Sequence, residues 1–470
     1  MGDFTGLVLS VALPWIAGTL WIRAALRRGS DIGLAVSIGY GYLIGMTAVT
    51  LQMRLLDMIG VRWSLAWVAL PIAALACVAL VGLRFRNPLI NLREHGRRVR
   101  DALVAMPSGT GAIFCLLLAL TVVRVITLGL EVVWTPLLTY DAWAQWASKA
   151  RVWYGYGSLQ PFVPSTAWAS APGTMTFTDT HPEYPGTVPL FQVWTAICLG
   201  RWDESLVNIP WAVAFASLGV AFYAQTRRLG FSAVKSMFGA YLLLSLPFLT
   251  VHVALAGIAD VFISIAYGLA TMALWHWTIG RRWGDAAMAL AMAAICAMLK
   301  LEGFVWALTL VPAILVAINR RVGLTIFVVG AIAGVLFLAF APSEIRITNY
   351  VFRTHFANVW YPLYQHMFVM DNWHLLWYAA IALVAVNYRY LLEDPLAPMT
   401  VTMLSAAGIA IVTFFFSSAS GGVDDESLVN RLLLHLVPTL VFYLALILRD
   451  RARRVANGTA AILSMAKPGG

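Results

Sequence analysis

Charged residues are scarce in this chain: Asp, Glu, Lys and Arg make up 11% of its 470 residues. A soluble globular domain carries about 25% charged residues, so the composition excludes an ordinary water-soluble protein. Hydrophobic residues make up 61% of the chain. They recur in stretches of about 20 residues, the length that a helix needs to cross a bilayer core. Because lipid offers backbone groups no hydrogen-bond partners, these stretches predict membrane-spanning helices.

Cysteine is also sparse, with four residues in the chain. The chain also lacks a C-x-x-C pair and a nearby histidine cluster of the kind that binds zinc. The cysteines all lie in apolar stretches and are predicted to be small buried hydrophobes; they are Cys77, Cys115, Cys198 and Cys296. The N-terminus has no basic region ahead of its first apolar stretch, which favours a retained span over a cleaved signal peptide.

The apolar stretches predict about thirteen spans. The net charge is +10, and many basic residues form seven clusters at the ends of these stretches, a pattern typical of membrane topology and not of nucleic-acid binding. The clusters are Arg23 with Arg27 and Arg28, the run from Arg84 to Arg100, Arg227 with Arg228 and Lys235, Arg281 with Arg282, Arg320 with Arg321, Arg389, and the run from Arg449 to Arg454. With thirteen spans all seven clusters lie on one side, which identifies that side as the cytoplasm. The spans lie at about 5–23, 31–50, 63–83, 110–130, 205–224, 236–252, 259–278, 285–299, 303–318, 323–341, 373–390, 398–416 and 431–449.

This topology predicts a bacterial inner-membrane protein with its N-terminus outside and its C-terminus in the cytoplasm. A long loop at about 132–204 is then periplasmic. The apolar stretch at 187–200 is too short for a further span, and counting it would move every later basic cluster outside, so it is predicted to be a membrane-surface or re-entrant helix. The basic segment at 84–103 is predicted to be a cytoplasmic connector.

Charge at membrane depth is expensive, so the charged residues that remain at the outer boundary are the candidates for function. Asp141, Gln145 and Lys149 recur at every fourth position, which places them along one stripe of a helix. The tryptophans of the same segment suit a headgroup boundary; they are Trp143, Trp146 and Trp153. The structural alternative is an interfacial helix with an ordinary Asp cap.

Five further places carry polar residues on the same predicted face. The motif His181-Pro182-Glu183-Tyr184-Pro185 is a proline-stiffened loop. The other places are Asp260 at a span start, Lys300 with Glu302 between apolar stretches, Arg353 with His355 among aromatic residues, and Arg431 with His435 one turn apart. Arginine forks suit phosphate oxygens, and aromatic rings suit an isoprenoid tail or a sugar face. Rigid turns, helix-start carboxylates and snorkelling side chains are the structural alternatives.

The order of these motifs resembles the GT-C superfamily of membrane glycosyltransferases, near the protein O-mannosyltransferases, lipid A aminoarabinose transferases and rhizobial galacturonosyltransferases. The matching features are an Asp after a span, a long outer loop with a proline-rich motif, an Ala-Asp pair heading a span, a K-x-E-G turn and a basic motif opening the last span; here these are Asp141, His181 to Pro185, Ala259-Asp260, Lys300 to Gly303 and Arg431 to His435.

The resemblance covers about 110–450 and implies an all-α, GT-C-like helical bundle. Residues 1–105 are predicted to be a three-span addition with the connector, 106–450 the catalytic core, and 451–470 a cytoplasmic tail, poorly ordered beyond about 455. The family activity is transfer of a sugar from a polyprenyl-phosphate donor to a glycan, lipid or protein acceptor on the periplasmic side. Membrane lipid is the expected surrounding, and nucleic acid is not an expected partner.

The resemblance also implies roles for the candidate residues. Asp141 is the expected general base and Glu183 the second carboxylate. Lys149, Arg353, Arg431 and His435 are expected to offset the charge of the departing phosphate; His181, Tyr184, Asp260, Lys300, Glu302 and His355 complete the expected substrate-binding set. Protein mannosyltransferases have an Asp-Glu pair where this chain has Asp141-Ala142, so no cofactor is predicted and a divalent metal stays open.

Two other classes compete with this interpretation: a transporter or flippase for lipid-linked saccharides, and a polyprenyl-linked glycan ligase or polymerase. A transporter brings polar residues or broken helices to the membrane midplane. The distinctive charges of this chain lie at the outer boundary instead. A polymerase would carry its long loop late in the chain, whereas here the loop is early.

The topology predicts that residue 170 is periplasmic. A Ser170→Cys variant should therefore react in intact cells with a maleimide that cannot cross the membrane. The parent chain, measured in parallel, gives the background from the native cysteines. Labelling of residue 170 only after the inner membrane is opened would place the loop in the cytoplasm and contradict the topology.

Overall fold

The structure of the chain is a computed structural model, and its described part is mostly helical with very little strand. The fold is therefore an all-α, polytopic helical protein, as the apolar stretches predicted. The described residues are 2–26, 33–86, 97, 100–101, 106–170, 173, 176–340, 342–347, 350–425 and 427–465. Most of the connector predicted at 84–103 lies outside these residues.

The helices follow the apolar stretches of the sequence in chain order. They are α1 (Asp3–Ala25), α2 (Leu34–Met58), α3 (Leu65–Arg86), α4 (Ser108–Trp134), α5 (Ala147–Tyr156), α6 (Ser165–Ala169), α7 (Thr187–Leu199), α8 (Ile209–Arg228), α9 (Ala233–Leu244), α10 (Pro247–Leu255), α11 (Asp260–Gly280), α12 (Trp283–Leu299), α13 (Leu301–Leu308), α14 (Leu310–Ile318), α15 (Arg320–Phe340), α16 (Trp360–Tyr364), α17 (Leu376–Asn387), α18 (Ala397–Phe416), α19 (Gly421–Asp424) and α20 (Val429–Met465).

Two short sheets lie in the segments between the predicted spans. Strands β1 (Phe162–Val163) and β2 (Phe177–Thr178) pair in parallel, and β3 (Glu344–Ile347) pairs with β4 (Tyr350–Arg353) as an antiparallel hairpin.

Ten helical segments within the described residues are long and apolar enough to cross a membrane. They coincide with ten of the thirteen predicted spans; they are α1, α2, α3, α4, α8 with the turn before it, α11, α13 with α14, α15, α18 and the first part of α20. The span predicted at 236–252 is two helices, α9 and α10, bent by 60° at a break before Pro247. The other two predicted spans are shorter, 17 residues in α12 and 12 in α17. Thirteen spans therefore stay a prediction.

Helix α7 is the apolar stretch that was predicted to lie at the membrane surface or to be re-entrant. All of its 13 residues except Ile197 are buried. Trp194 donates its indole N–H to the carbonyl of Ser10 in α1 at 2.9 Å, and Gln192 donates to Asn208 at 2.8 Å. Protein therefore encloses α7, and its place at the membrane surface or in a re-entrant loop stays a prediction.

The described chain divides into two units. Unit 1 comprises residues 1–245, 249–270 and 282–307, and unit 2 comprises 246–248, 271–281 and 308–470. Helices α1 to α3 belong to unit 1 together with α4 to α9, so they are not a separate compact body. Their origin as an addition to a catalytic core stays a prediction.

Small residues and an ion-pair network around Arg228 join helices within unit 1. Gly18 and Gly45 allow α1 and α2 to touch backbone to backbone, because a Cβ added at either position would overlap the other helix. The two terminal nitrogens of the Arg228 guanidinium each lie 2.9 Å from an oxygen of the Asp285 carboxylate. The same guanidinium donates to Gln225 at 3.0 Å, and Gln225 donates to the hydroxyl of Tyr40 at 2.7 Å. This chain of bonds joins α2, α8 and α12.

Unit 2 differs from the sequence expectation at its C-terminal end. Helix α20 continues to Met465. The segment from about 455 to 465 was predicted to be poorly ordered, and that prediction is wrong. Arg454 contributes to this continuation, since its guanidinium lies 2.6 Å from Asp450 within the helix and 3.0 Å from Glu393.

The prediction that all four cysteines are buried is confirmed only in part. Cys198 and Cys296 are buried, whereas Cys77 and Cys115 are exposed. The last two lie on α3 and α4, helices whose surfaces are mostly left uncovered by the rest of the chain. Their burial was therefore predicted wrongly, because hydropathy does not tell a face that packs on protein from one that does not.

The glycine contact between α1 and α2 predicts a stability effect. Gly45→Ala should destabilise the fold by about 1–3 kcal/mol, since the new methyl group meets the Pro14 carbonyl. Gly82→Ala in α3 is the control, because a Cβ there meets only open space. Thermal unfolding in detergent measures both; equal midpoints for the two variants would contradict the close packing.

Candidate functional site

Asp141 lies at the point where the chain turns from the end of α4 toward α5. It is half-buried and precedes a π-helical turn, Ala142–Trp146, that leads into α5. The side-chain amide of Gln145 lies 3.5 Å from a carboxylate oxygen of Asp141, as their spacing of four residues predicted. The tryptophans do not form a headgroup belt, however: Trp143 is exposed, but Trp146 and Trp153 are buried in unit 1.

Lys149 lies one turn further along and is buried. Its ammonium forms an ion pair with Asp179, which is also buried, and donates to the backbone carbonyl of His181 at 2.8 Å. Asp179 in turn accepts the backbone N–H of His181 at 3.2 Å. The pair therefore fixes the start of the His181–Pro185 motif against α5. This geometry favours a positioning role for Lys149 over direct contact with a phosphate.

Tyr184 is the centre of the contacts within unit 1. Its ring stacks on Trp146, with centroids 5.6 Å apart, and on the imidazole of His181, with centroids 4.7 Å apart. The ammonium of Lys300 lies 5.5 Å from the centroid of the same ring, within range of a cation–π interaction. One aromatic ring thus connects the π-helical turn after Asp141, the proline-rich loop and the junction before α13.

Lys300 lies in an extended break between α12 and α13, between two carboxylates. Its ammonium is 3.4 Å from Asp260, the first residue of α11, and 3.0 Å from Glu302. The side chains of Asp260 and Lys300 are 1% and 8% exposed, whereas that of Glu302 is 33% exposed. A buried carboxylate needs such a partner, because an unpaired one would protonate.

These two carboxylates do not form a metal site, since the lysine ammonium already lies between them. Among the residues that the structure describes, no group of three or more His, Cys, Asp and Glu side chains could hold a metal ion.

The segment after Asp141 also packs against the segment before Asp260. Gly257 has a left-handed backbone, with φ +78°, and a Cβ added to it would lie 2.6 Å from the Cβ of Ala142. The absence of a side chain at Gly257 therefore allows the two segments to touch. Asp141 and Asp260 each lie within three residues of this contact.

His181 and Glu183 form the accessible edge of the group. The Nδ1 atom of His181 lies 3.0 Å from a Glu183 oxygen, and the two side chains are 43% and 44% exposed. A histidine paired with a carboxylate in this way can orient a hydroxyl group and exchange a proton with it. We call the connected residues the Tyr184 cluster; they are Asp141, Gln145, Trp146, Lys149, Asp179, His181, Glu183, Tyr184, Asp260, Lys300 and Glu302.

The remaining four predicted site residues belong to unit 2. Arg353 pairs with Glu344 at 3.1 Å across the β3–β4 hairpin, and both are exposed. The Nε2 atom of His355 lies 3.3 Å from the hydroxyl of Ser420. Arg431 and His435 lie one turn apart near the start of α20, where Arg431 is half-buried and His435 buried.

Asp179 is the member of the cluster that the sequence analysis did not identify. The signal was present: a lysine on the inner stripe of a helix needs a carboxylate partner, and Asp179 precedes the proline-rich motif by two residues. The choice among the carboxylates of the long loop depends on tertiary contacts, however, and spacing does not reveal those.

No protein-family model, curated protein or solved structure matches this chain. The family resemblance of its motifs therefore stays a hypothesis.

The buried Lys149–Asp179 pair predicts a pattern of stabilities. Lys149→Met should leave a carboxylate buried without its cation and cost about 3–5 kcal/mol. The double variant with Asp179→Asn removes both charges but keeps an acceptor for the His181 N–H, so its thermal midpoint should recover toward that of the wild type. A double variant less stable than Lys149→Met would contradict the pairing.

Proposed function

We propose that this chain is a glycosyltransferase of the inner membrane that moves a sugar from a polyprenyl-phosphate donor to an acceptor on the periplasmic face. The observation that carries the proposal is the Tyr184 cluster. Eight of the twelve site residues predicted from the sequence lie between positions 141 and 302 in unit 1. Seven of them are joined by contacts around Tyr184, and Asp141 lies beside Gln145 in the turn that leads to Trp146. They include the residues expected to act as base and second carboxylate.

The proposed reaction is a single displacement at the anomeric carbon. The acceptor hydroxyl gives its proton to a carboxylate oxygen of Asp141, and its oxygen forms the new bond to the anomeric carbon. The bond from that carbon to the phosphate oxygen breaks, and its electron pair leaves with the polyprenyl phosphate. Displacement in one step inverts the anomeric configuration, which gives the product a stereochemical signature.

Asp141 fits the role of base through its position. It is half-buried next to Gln145, seven residues beyond the end of α4, a helix long and apolar enough to cross a membrane. A base at this place meets the acceptor from the water side and the donor headgroup from the membrane side.

The exposed pair of His181 and Glu183 fits the orientation of an acceptor. The two polar groups lie 3.0 Å apart, so together they can donate a hydrogen bond to a substrate hydroxyl and accept one from it. The prolines stiffen the loop, which lowers the entropy lost on binding. Arg353, Arg431 and His435 remain candidates for binding the donor phosphate on the ground of the family resemblance alone.

The role of Asp141 predicts a loss of transfer in Asp141→Asn, which keeps the size of the side chain but removes the base. The rate should fall by roughly 100- to 10,000-fold. The measurement uses the purified chain in lipid with radiolabelled polyprenyl-phosphate sugars and a panel of glycan, lipid and protein acceptors. Parallel assays with and without EDTA test whether a divalent ion takes part.

Glu204→Gln is the matched control for this variant. Glu204 lies in the same loop and pairs on the surface with Arg151 at 3.2 Å, outside the Tyr184 cluster, so its loss should leave the rate unchanged. An undiminished rate in Asp141→Asn would remove Asp141 from the role of base. Movement of the lipid-linked sugar across the membrane without formation of a glycosidic bond would favour a transporter instead.

A further inference from the structure

Unit 2 contains a cavity of about 400 Å³ where three helices end. It is lined by the last residues of α11 and α14 and by the start of α18, around Thr278, Ile318 and Pro398. Helices that cross a membrane end where the hydrocarbon gives way to headgroups and water. Three such ends around one cavity therefore place it at the level of the lipid headgroups.

Arg281 is one of two arginines that line the cavity. It follows the last residue of α11 with φ +49°, a left-handed conformation that helix ends usually give to glycine. Its guanidinium donates to the carbonyl of Ala317 at the end of α14 and lies 4.9 Å from the ring of Trp277. An arginine is thus held at a position where its backbone is strained, with its head fixed at the cavity wall.

Arg320 is the second arginine and comes from the start of α15. Its Nε donates to the carbonyl of Leu392 at 2.9 Å. Its nearest carboxylate, Asp394, lies 3.9 Å away and is 74% exposed, so the ion pair is weak. A guanidinium has five N–H donors. One hydrogen bond to the backbone fixes the position of Arg320 and uses only one of them.

The rest of the lining adds an anion-favouring helix end and an apolar wall. Helix α18 begins at the cavity and runs for 20 residues, and the dipole of such a helix favours negative charge at its N-terminus. Two arginines against one exposed aspartate leave the lining with an excess of positive charge. The apolar part of the wall is formed by Ile279, Val316, Ile318 and Pro395.

We propose that this cavity binds the phosphate group of an anionic membrane phospholipid. The arginine forks match phosphate oxygens, and the apolar wall suits the glycerol and the first methylenes of the acyl chains. A free phosphate ion would gain nothing from the apolar wall. Since Arg281 and Arg320 belong to basic clusters assigned to the cytoplasm, the lipid comes from the cytoplasmic leaflet. This site is independent of the Tyr184 cluster and of the proposed transfer.

The test counts the lipids that the purified full chain retains, by native mass spectrometry, after equilibration with phosphatidylglycerol or phosphatidylcholine in detergent micelles. Wild type should retain phosphatidylglycerol about tenfold better than phosphatidylcholine, and the double variant Arg281→Gln/Arg320→Gln should lose that preference. The control Arg282→Gln/Arg321→Gln removes the same charge one residue along, from arginines that do not line the cavity, and should keep it.

Three outcomes would overturn the proposal. They are equal retention of both lipids by wild type, equal loss in the control variant, and displacement of phosphatidylglycerol by millimolar inorganic phosphate, which would identify a site for a soluble anion. Should the double variant fail to fold, Arg320→Gln alone is measured against Arg321→Gln. The single variant is then expected to lower the preference by several-fold, and an unchanged preference would contradict the site.

Discussion

The cost of burying charge explains how distant segments of unit 1 are held together. Three buried or nearly buried cations of unit 1 pair with a carboxylate: Lys149 with Asp179, Lys300 with Asp260, and Arg228 with Asp285. An unpaired charge in such surroundings would cost several kcal/mol or lose its ionisation. Each ion pair therefore neutralises two buried charges and also holds two distant segments of the chain next to each other. The loop at 179–185 and the break before α13 owe their positions to two of these pairs.

Tyr184 turns those two fixed segments into one cluster. The negative π faces of an aromatic ring attract both stacked rings and cations. Trp146, His181 and Lys300 use Tyr184 in this way, so the chain after Asp141 is tied to a break in the helices more than a hundred positions later. Gly257 reinforces the same contact from the backbone side, where a larger residue would push Ala142 away.

Local sequence patterns predicted much of this arrangement. Contacts between distant segments could not be predicted from them. Hydropathy located the helices and the start of α11 near Asp260, and the spacing of four residues placed Gln145 beside Asp141, since each depends on neighbours within one or two turns. Hydropathy missed the break before Pro247, because an apolar stretch of suitable length does not reveal a bend. Asp179 was not identified as the partner of Lys149, and Trp146 and Trp153 were expected at the headgroups but are buried. Those residues are apolar or amphipathic whether they face lipid or protein, and only the packing decides.

The Tyr184 cluster combines buried charge with accessible charge. Asp179 and Asp260 are buried in pairs with Lys149 and Lys300, whereas His181 and Glu183 pair at an accessible edge. Under the proposed function, the buried pairs hold the loop and the helix break in place, and the accessible pair is the part that meets an acceptor.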